Sequence, residues 1–125
     1  MTQSDVLRKV YDDQLKEQDR NGDSKGRAET LFQLAKQEVS EGNQEAALLL
    51  LMESYSRFQQ VGDAQGHCFA GELLGQLLFV SGNREDGVRV IREALRGFKD
   101  MGFEEEAAKT EELLAAMKEY AGADS

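Results

Sequence analysis

Glycine recurs at a fixed interval in a chain that has no proline. Gly22, Gly42, Gly62, Gly82, Gly102 and Gly122 stand 20 residues apart. With proline absent, glycine is the strongest backbone breaker available, so regular elements should be shorter than this interval. The intervening segments are rich in helix formers with apolar residues at helical spacing. They predict six helices, over 4–20, 24–41, 44–60, 64–81, 84–100 and 104–121. The expected fold class is all-α, with six antiparallel helices in a single domain, 1–125.

A 40-residue register shows that the glycines mark a repeat and not a coincidence of breaks. Tyr11, Leu51 and Ile91 share one column, and Leu15, Tyr55 and Leu95 share another four residues on, hence on the same helical face. In the alternate helices Leu34, Leu74 and Leu114 align, followed by the small trio Ala35, Gly75 and Ala115. A second small column, Ala28, Cys68 and Ala108, would also let helix backbones approach closely. Phe58 and Phe98 correspond, but the first copy has Gln18 there. Stacked repeats expose one face at each end and need polar residues on it. Arg8 stands opposite Leu48 and Val88, and Lys118 and Glu119 opposite Leu78 and Phe79, so both ends are expected to be capped.

The stretch DRNGDSKGR, 19–27, resembles the start of a calcium loop, with Asp19, Asn21 and Asp23 alternating. Two observations favour a helix-turn-helix corner instead. Its second copy, VGDAQGHCFA from 61, keeps Gly62, Asp63 and Gly66 but has Gln59 and Val61 where ligands would stand. An EF-hand also needs glycine at position 6 and glutamate at position 12, which here are Ser24 and Thr30, with Glu29 one residue early. Calcium binding through residues 19–30 stays as a minor alternative. As a corner, glycine ends one helix in a left-handed conformation and the aspartate caps the next.

Bulk chemistry narrows the function classes. Charges number 24 Asp and Glu against 15 Lys and Arg, a net of −9, which opposes nucleic acid and anionic membranes. The longest apolar run, AALLLLM at 46–52, is about a third of the ~20 residues that span a bilayer. One cysteine, Cys68, permits no internal disulfide, and MTQSDVLRKV lacks the apolar run of a signal peptide. A cytoplasmic location is expected.

Catalysis finds little support. His67, the one histidine, aligns with Arg27 and Ala107 in the first turn of a helix, a place suited to a solvated side chain. Adjacent His67 and Cys68 project about 100° apart on a helix and do not form a nucleophile pair. There is no zinc-type Cys and His spacing and no phosphate-binding glycine loop. The expectation is a non-enzyme without cofactor or metal.

The run from Gly71, LLGQLLFVSGNREDGVRVIREA, resembles a tetratricopeptide repeat of the longer, 40-residue type. Leu74, Gly75, Leu78, Gly82, Gly87, Ile91 and Ala94 occupy the family's large, small and turn positions. The earlier copy has Leu31, Leu34, Ala35, Gly42, Ala47, Leu51 and Ser54, with Glu38 in place of the usual aromatic. The usual proline near the end of the second helix is absent. The resemblance covers about 24–121. It implies a right-handed α-α superhelix with two full helix pairs, one helix before them and one after, forming a shallow cradle.

The resemblance further implies that the first helix of each pair lines a concave face that binds a segment of another protein. Carried over by position, the peptide-binding residues would be Phe32, Lys36, Phe69, Glu72, Gln76, Phe79 and Lys109. Phe32, Phe69 and Phe79 lie on a stripe distinct from the leucine stripe, as binding anchors would; the alternative is that these rings pack on the neighbouring helix. Lys36 is opposed by Glu72, Gln76 and Glu112, so the expected partner is a protein or peptide with basic and apolar side chains. The alternative of a different class is an assembly element whose terminal helices stack on another copy, compatible with a homodimer.

Overall fold

In the computed structural model, which describes residues 1–123, the chain is all-helical. Its elements are α1 (Gln3–Asn21), α2 (Ser24–Ser40), α3 (Gln44–Gln60), α4 (Ala64–Val80), α5 (Arg84–Asp100) and α6 (Glu104–Ala123). Every end lies within two residues of the predicted one. No helix among the described residues is long and apolar enough to cross a membrane.

The glycine period is a period of identical corners. Gly22, Gly42, Gly62, Gly82 and Gly102 all have positive φ, between 66° and 100°. At each, the glycine N–H donates to a carbonyl three residues back, and the next N–H to one five back. Gly42 to Val39 (3.0 Å) with Asn43 to Glu38 (2.8 Å) is one instance, and Gly102 to Lys99 (3.1 Å) with Phe103 to Phe98 (2.9 Å) another. This is the Schellman closure, which satisfies carbonyls a helix end would otherwise leave open. Asp23 then starts α2, its Oδ1 accepting from the Gly26 N–H at 2.8 Å. Gly122 does not act as a break: it continues α6.

Two compact units divide the chain, one from Met1 to Asp63 and one from Ala64 onward. In the first unit α2 packs on α3 and α1 on α2. Ala28, Leu31, Leu34 and Ala35 of α2 bury against Ala47, Leu51 and Phe58 of α3. The pair runs antiparallel, since the buried Ser54 hydroxyl donates to the Ala28 carbonyl at 2.7 Å while Arg57 reaches Ser24. Helix α1 contributes no buried residue. It is held to α2 by polar contacts: Arg8 to Glu38 at 2.9 Å, Gln37 to the Ser4 carbonyl at 3.2 Å, and Gln18 to Thr30 at 3.0 Å.

In the second unit α5 packs on both α4 and α6. Cys68, Phe79, Ile91, Ala94, Leu95, Phe98, Ala107, Leu114 and Met117 make one apolar cluster. The small residues have a specific task at the α4–α5 crossing. A Cβ on Gly87 would stand 2.7 Å from the Gly75 carbonyl oxygen and 2.9 Å from the Phe79 nitrogen, so the two backbones touch there. The Cys68 sulfur fills the space beside Gly97 in the same way. Full burial of a ring such as Phe98 contributes roughly 1.5–3 kcal/mol. The core of this unit therefore rests on shape and area, with few polar contributions.

The leucine column is buried in all three copies, Leu34, Leu74 and Leu114 being 7%, 4% and 7% exposed. The small columns are buried at Ala28, Ala35, Cys68 and Gly75 but exposed at Ala108 and Ala115, because no helix follows α6 among the described residues. Arg8 differs from its expected role as an end cap. Its guanidinium turns onto α2, where it bridges Glu38 and Glu41 at 2.9 and 2.7 Å. The outer side of α1 keeps Val6, Leu7 and Val10 about half exposed. Lys118 and Glu119 are exposed, as expected of a capped end.

Candidate functional site

The seven residues expected to bind a peptide divide between the two units. In the first, Phe32 and Lys36 lie one turn apart on α2, with the Lys36 ammonium 4.8 Å from the centre of the half-buried Phe32 ring. The pair is set by the i, i+4 spacing and presents an apolar face beside a cation.

In the second unit the other five take different roles. Phe79 is 9% exposed and belongs to the core, its ring edge-on to Tyr120 at 5.9 Å. Arg84 lies over both of these rings, 5.7 Å from Phe79 and 5.0 Å from Tyr120. Phe69 is half-buried, edge-on to Phe98 at 5.1 Å and 6.4 Å from Phe103. Both rings thus pack on neighbouring helices, the alternative considered for them above. Glu72 and Gln76 are half-buried on α4. Glu72 Oε2 accepts from the buried Thr110 hydroxyl at 3.0 Å, and Gln76 donates to the Glu72 carbonyl at 3.2 Å. Lys109 is exposed in the first turns of α6, 3.3 Å from Glu105.

A cleft of about 520 Å³ opens between α1 and α2 in the first unit, lined by Tyr11, Gln14, Glu17, Gln18, Asn21, Asp23, Gly26, Glu29, Thr30 and Gln33. Its floor is polar. The Gln18 Nε2 donates to Thr30 Oγ1, while its Oε1 is buried without a hydrogen-bond partner. A buried acceptor left unpaired costs about 1–3 kcal/mol, so this amide is an unmet demand for a donor. A second hollow of about 530 Å³ lies around Arg8, Glu38, Gly42 and Asn43. Glu38 is 8% exposed and fully engaged there, accepting from Arg8 and from the Asn43 amide at 2.9 Å.

The DRNGDSKGR corner has its carboxylates committed. Asp23 caps α2, and Asp19 pairs with Arg27 at 3.0 Å. Among the described residues no group of three or more His, Cys, Asp or Glu could hold a metal ion. Arg27 also meets Glu53 at 2.9 Å, and Arg57 meets the same carboxylate oxygen at 2.7 Å. Hydrogen bonding from Arg27, reinforced by Arg57, holds the Glu53 carboxyl below its ordinary value despite partial burial. Burial pushes the Cys68 thiol up, away from the thiolate.

The Arg8 and Arg27 networks were not readable from the sequence, because Glu38, Glu41 and Glu53, which join them to other helices, lie 26 to 33 residues away. The cleft had a signal: Gln18 breaks the Phe58 and Phe98 column. The chain matches no protein-family model and no curated protein.

Proposed function

We propose that the protein is a tetratricopeptide-like, cytoplasmic, non-enzymatic interaction module that takes a peptide segment or helix of a partner on the outward stripe of the first helices of its pairs. The observation that carries this reading is the stripe on α2, where Phe32 stays part-exposed beneath the Lys36 ammonium, outside the fully buried residues of its unit. A ring held at a surface in this way is a ready apolar anchor. In the second unit, the positions on α4 equivalent to Phe32 and Lys36 by the 40-residue register are Glu72 and Gln76, which would recognise basic and amide groups. Net charge of −9 adds long-range attraction for a basic segment. The resemblance in the 40-residue register supports the assignment, as does the commitment of the corner carboxylates to a cap and an ion pair.

Fluorescence anisotropy tests it with two labelled helix-forming peptides, both carrying Leu at helical spacing on one face, with Lys on the other face of the first and Glu on the other face of the second. The basic peptide should bind and lose affinity at least tenfold on Phe32→Ala. Tight binding of the acidic peptide, lost on Lys36→Glu, would overturn the reading.

A further inference from the structure

The second unit contains a template for what the α1–α2 cleft accepts. Shifting by 80 residues maps α5 onto α1 and α6 onto α2, so the first unit holds the same two helices without an α4 laid across them. In the second unit α4 makes that contact through a few residues. Phe69 covers Phe98 and Phe103, Glu72 meets Thr110, and Gly75 meets Ile91 and Gly87. The equivalents in the first unit are Gln18 and Asp23, then Thr30, then Tyr11 and Leu7. Four of these line the cleft, and Leu7 extends it along the exposed side of α1.

One helix has the α4 pattern and, among the described residues, no helix laid on its small-residue face. Shifting α4 by 40 residues gives α6, with Lys109 for Phe69, Glu112 for Glu72, and Ala115 for Gly75. Ala108 and Ala115, whose equivalents in α4 are buried against α5, are exposed on α6. We propose that α6 of one copy docks into the α1–α2 cleft of a second copy, in the register α4 adopts on α5 and α6.

Matched replacement, not overall charge, selects this occupant. The cleft is lined by Glu17, Asp23 and Glu29 and α6 carries more Glu than Lys, but the residues that differ from the template differ together on the two sides. Where the second unit sets Phe69 on Phe98 and Phe103, the contact between copies sets Lys109 on Gln18 and Asp23. The lysine ammonium lies beside the Gln18 amide and faces the cleft carboxylates of Glu17 and Asp23. Glu112 meets the Thr30 hydroxyl as Glu72 meets that of Thr110. The polar replacements therefore occur on both sides of the same pairs. Leu7 and Ala115 carry side chains where Gly87 and Gly75 carry none, so this contact is spaced more widely than α4 on α5.

The contact is heterologous, since the two surfaces differ, and nothing in it closes at two chains. Sedimentation of the full chain over a concentration series, at about 0.15 M salt to screen repulsion between the acidic copies, tests it. The weight-average mass should climb from 13.9 kDa past twice that value. Leu7→Arg and Ala115→Arg, both at exposed positions, should each hold the chain at monomer mass. An equimolar mixture of the two should form a two-chain species and stop there, because one variant keeps a working α6 and the other a working cleft. Lys109→Glu should raise the concentration of half-assembly at least tenfold. A monomer at every concentration overturns the proposal and leaves the cleft to a helix from another protein. Assembly that survives both arginine variants, or a mixture that stays monomeric, overturns it as well.

Discussion

The helix pairs α1–α2 and α5–α6 occupy equivalent places in the repeat, yet they are held together by different forces. Between α5 and α6 the contact is apolar, with Ile91, Leu95 and Phe98 set against Ala107, Leu114 and Met117. Between α1 and α2 it is polar, made by Arg8, Gln18 and Gln37 reaching across to Glu38, Thr30 and the Ser4 carbonyl. The polar pair is open on one side and the apolar pair is covered by α4. A helix with no fully buried residue, its Tyr11 and Leu15 only part-buried, can be ordered by hydrogen bonds and ion pairs, but each is worth only about 1 kcal/mol net. An aromatic core contributes several times more. The difference makes α1 the weakly held edge of its unit and α5 the centre of the other.

The largest test of this contrast is truncation at the matched positions 98 and 18. Phe98→Ala should cost about 3–5 kcal/mol, as ring removal from a packed core does, whereas Gln18→Ala should cost under about 1 kcal/mol. Urea denaturation of both variants checks this, and equal losses would break the comparison. Next is the backbone crossing. Gly87→Ala gains about 1 kcal/mol of helix propensity but pushes a methyl into the Gly75 carbonyl and the Phe79 nitrogen. Overpacking of about 1–3 kcal/mol wins, so the variant should unfold at lower denaturant.

Restoring the column in the first unit sharpens the comparison from the other side. Gln18→Leu removes the unpaired amide and should stabilise the protein by about 1 kcal/mol, with the Thr30 hydroxyl free to turn to its own helix as Thr110 does toward the Glu106 carbonyl. A calorimetric midpoint that falls would show that the Gln18 amide is better satisfied than the geometry indicates. The smallest effect is that of pH. Glu53 has its carboxyl lowered in the folded state, chiefly by hydrogen bonding from Arg27. Its contribution is therefore fully present above the ordinary carboxylate value and fades as pH falls through the lowered one. Solvent screening keeps it below about 1 kcal/mol, and Glu53→Gln should flatten the acid limb of the stability curve by that amount.

Much of this was legible before any coordinates. Gly22, Gly42, Gly62, Gly82 and Gly102 announce the corners, because a positive φ is costly for other residues and the period leaves room for one helix between successive breaks. The Leu34, Leu74 and Leu114 column marks the core face for the same reason of fixed periodicity. Column arithmetic fails where a partner lies across a helix pair. Arg8 has the right polarity for an end cap, but Glu38 and Glu41 stand within its reach and draw it inward. Phe79 shares a stripe with Gln76 and Glu72, yet the packing of α6 buries it. Which side of a stripe a neighbouring helix covers depends on the crossing geometry, and the sequence does not encode that locally. Gly122 keeps the period but sits inside α6, so spacing alone does not make a corner.

Amide hydrogen exchange resolved by residue tests the central contrast most directly, because it reads the opening free energy of each helix separately. At low protein concentration the amides in the middle of α1 should exchange at least about a hundredfold faster than those in the middle of α5. Protection of α1 equal to that of α5 would contradict the account, since it would mean that the polar pair is held as firmly as the apolar one.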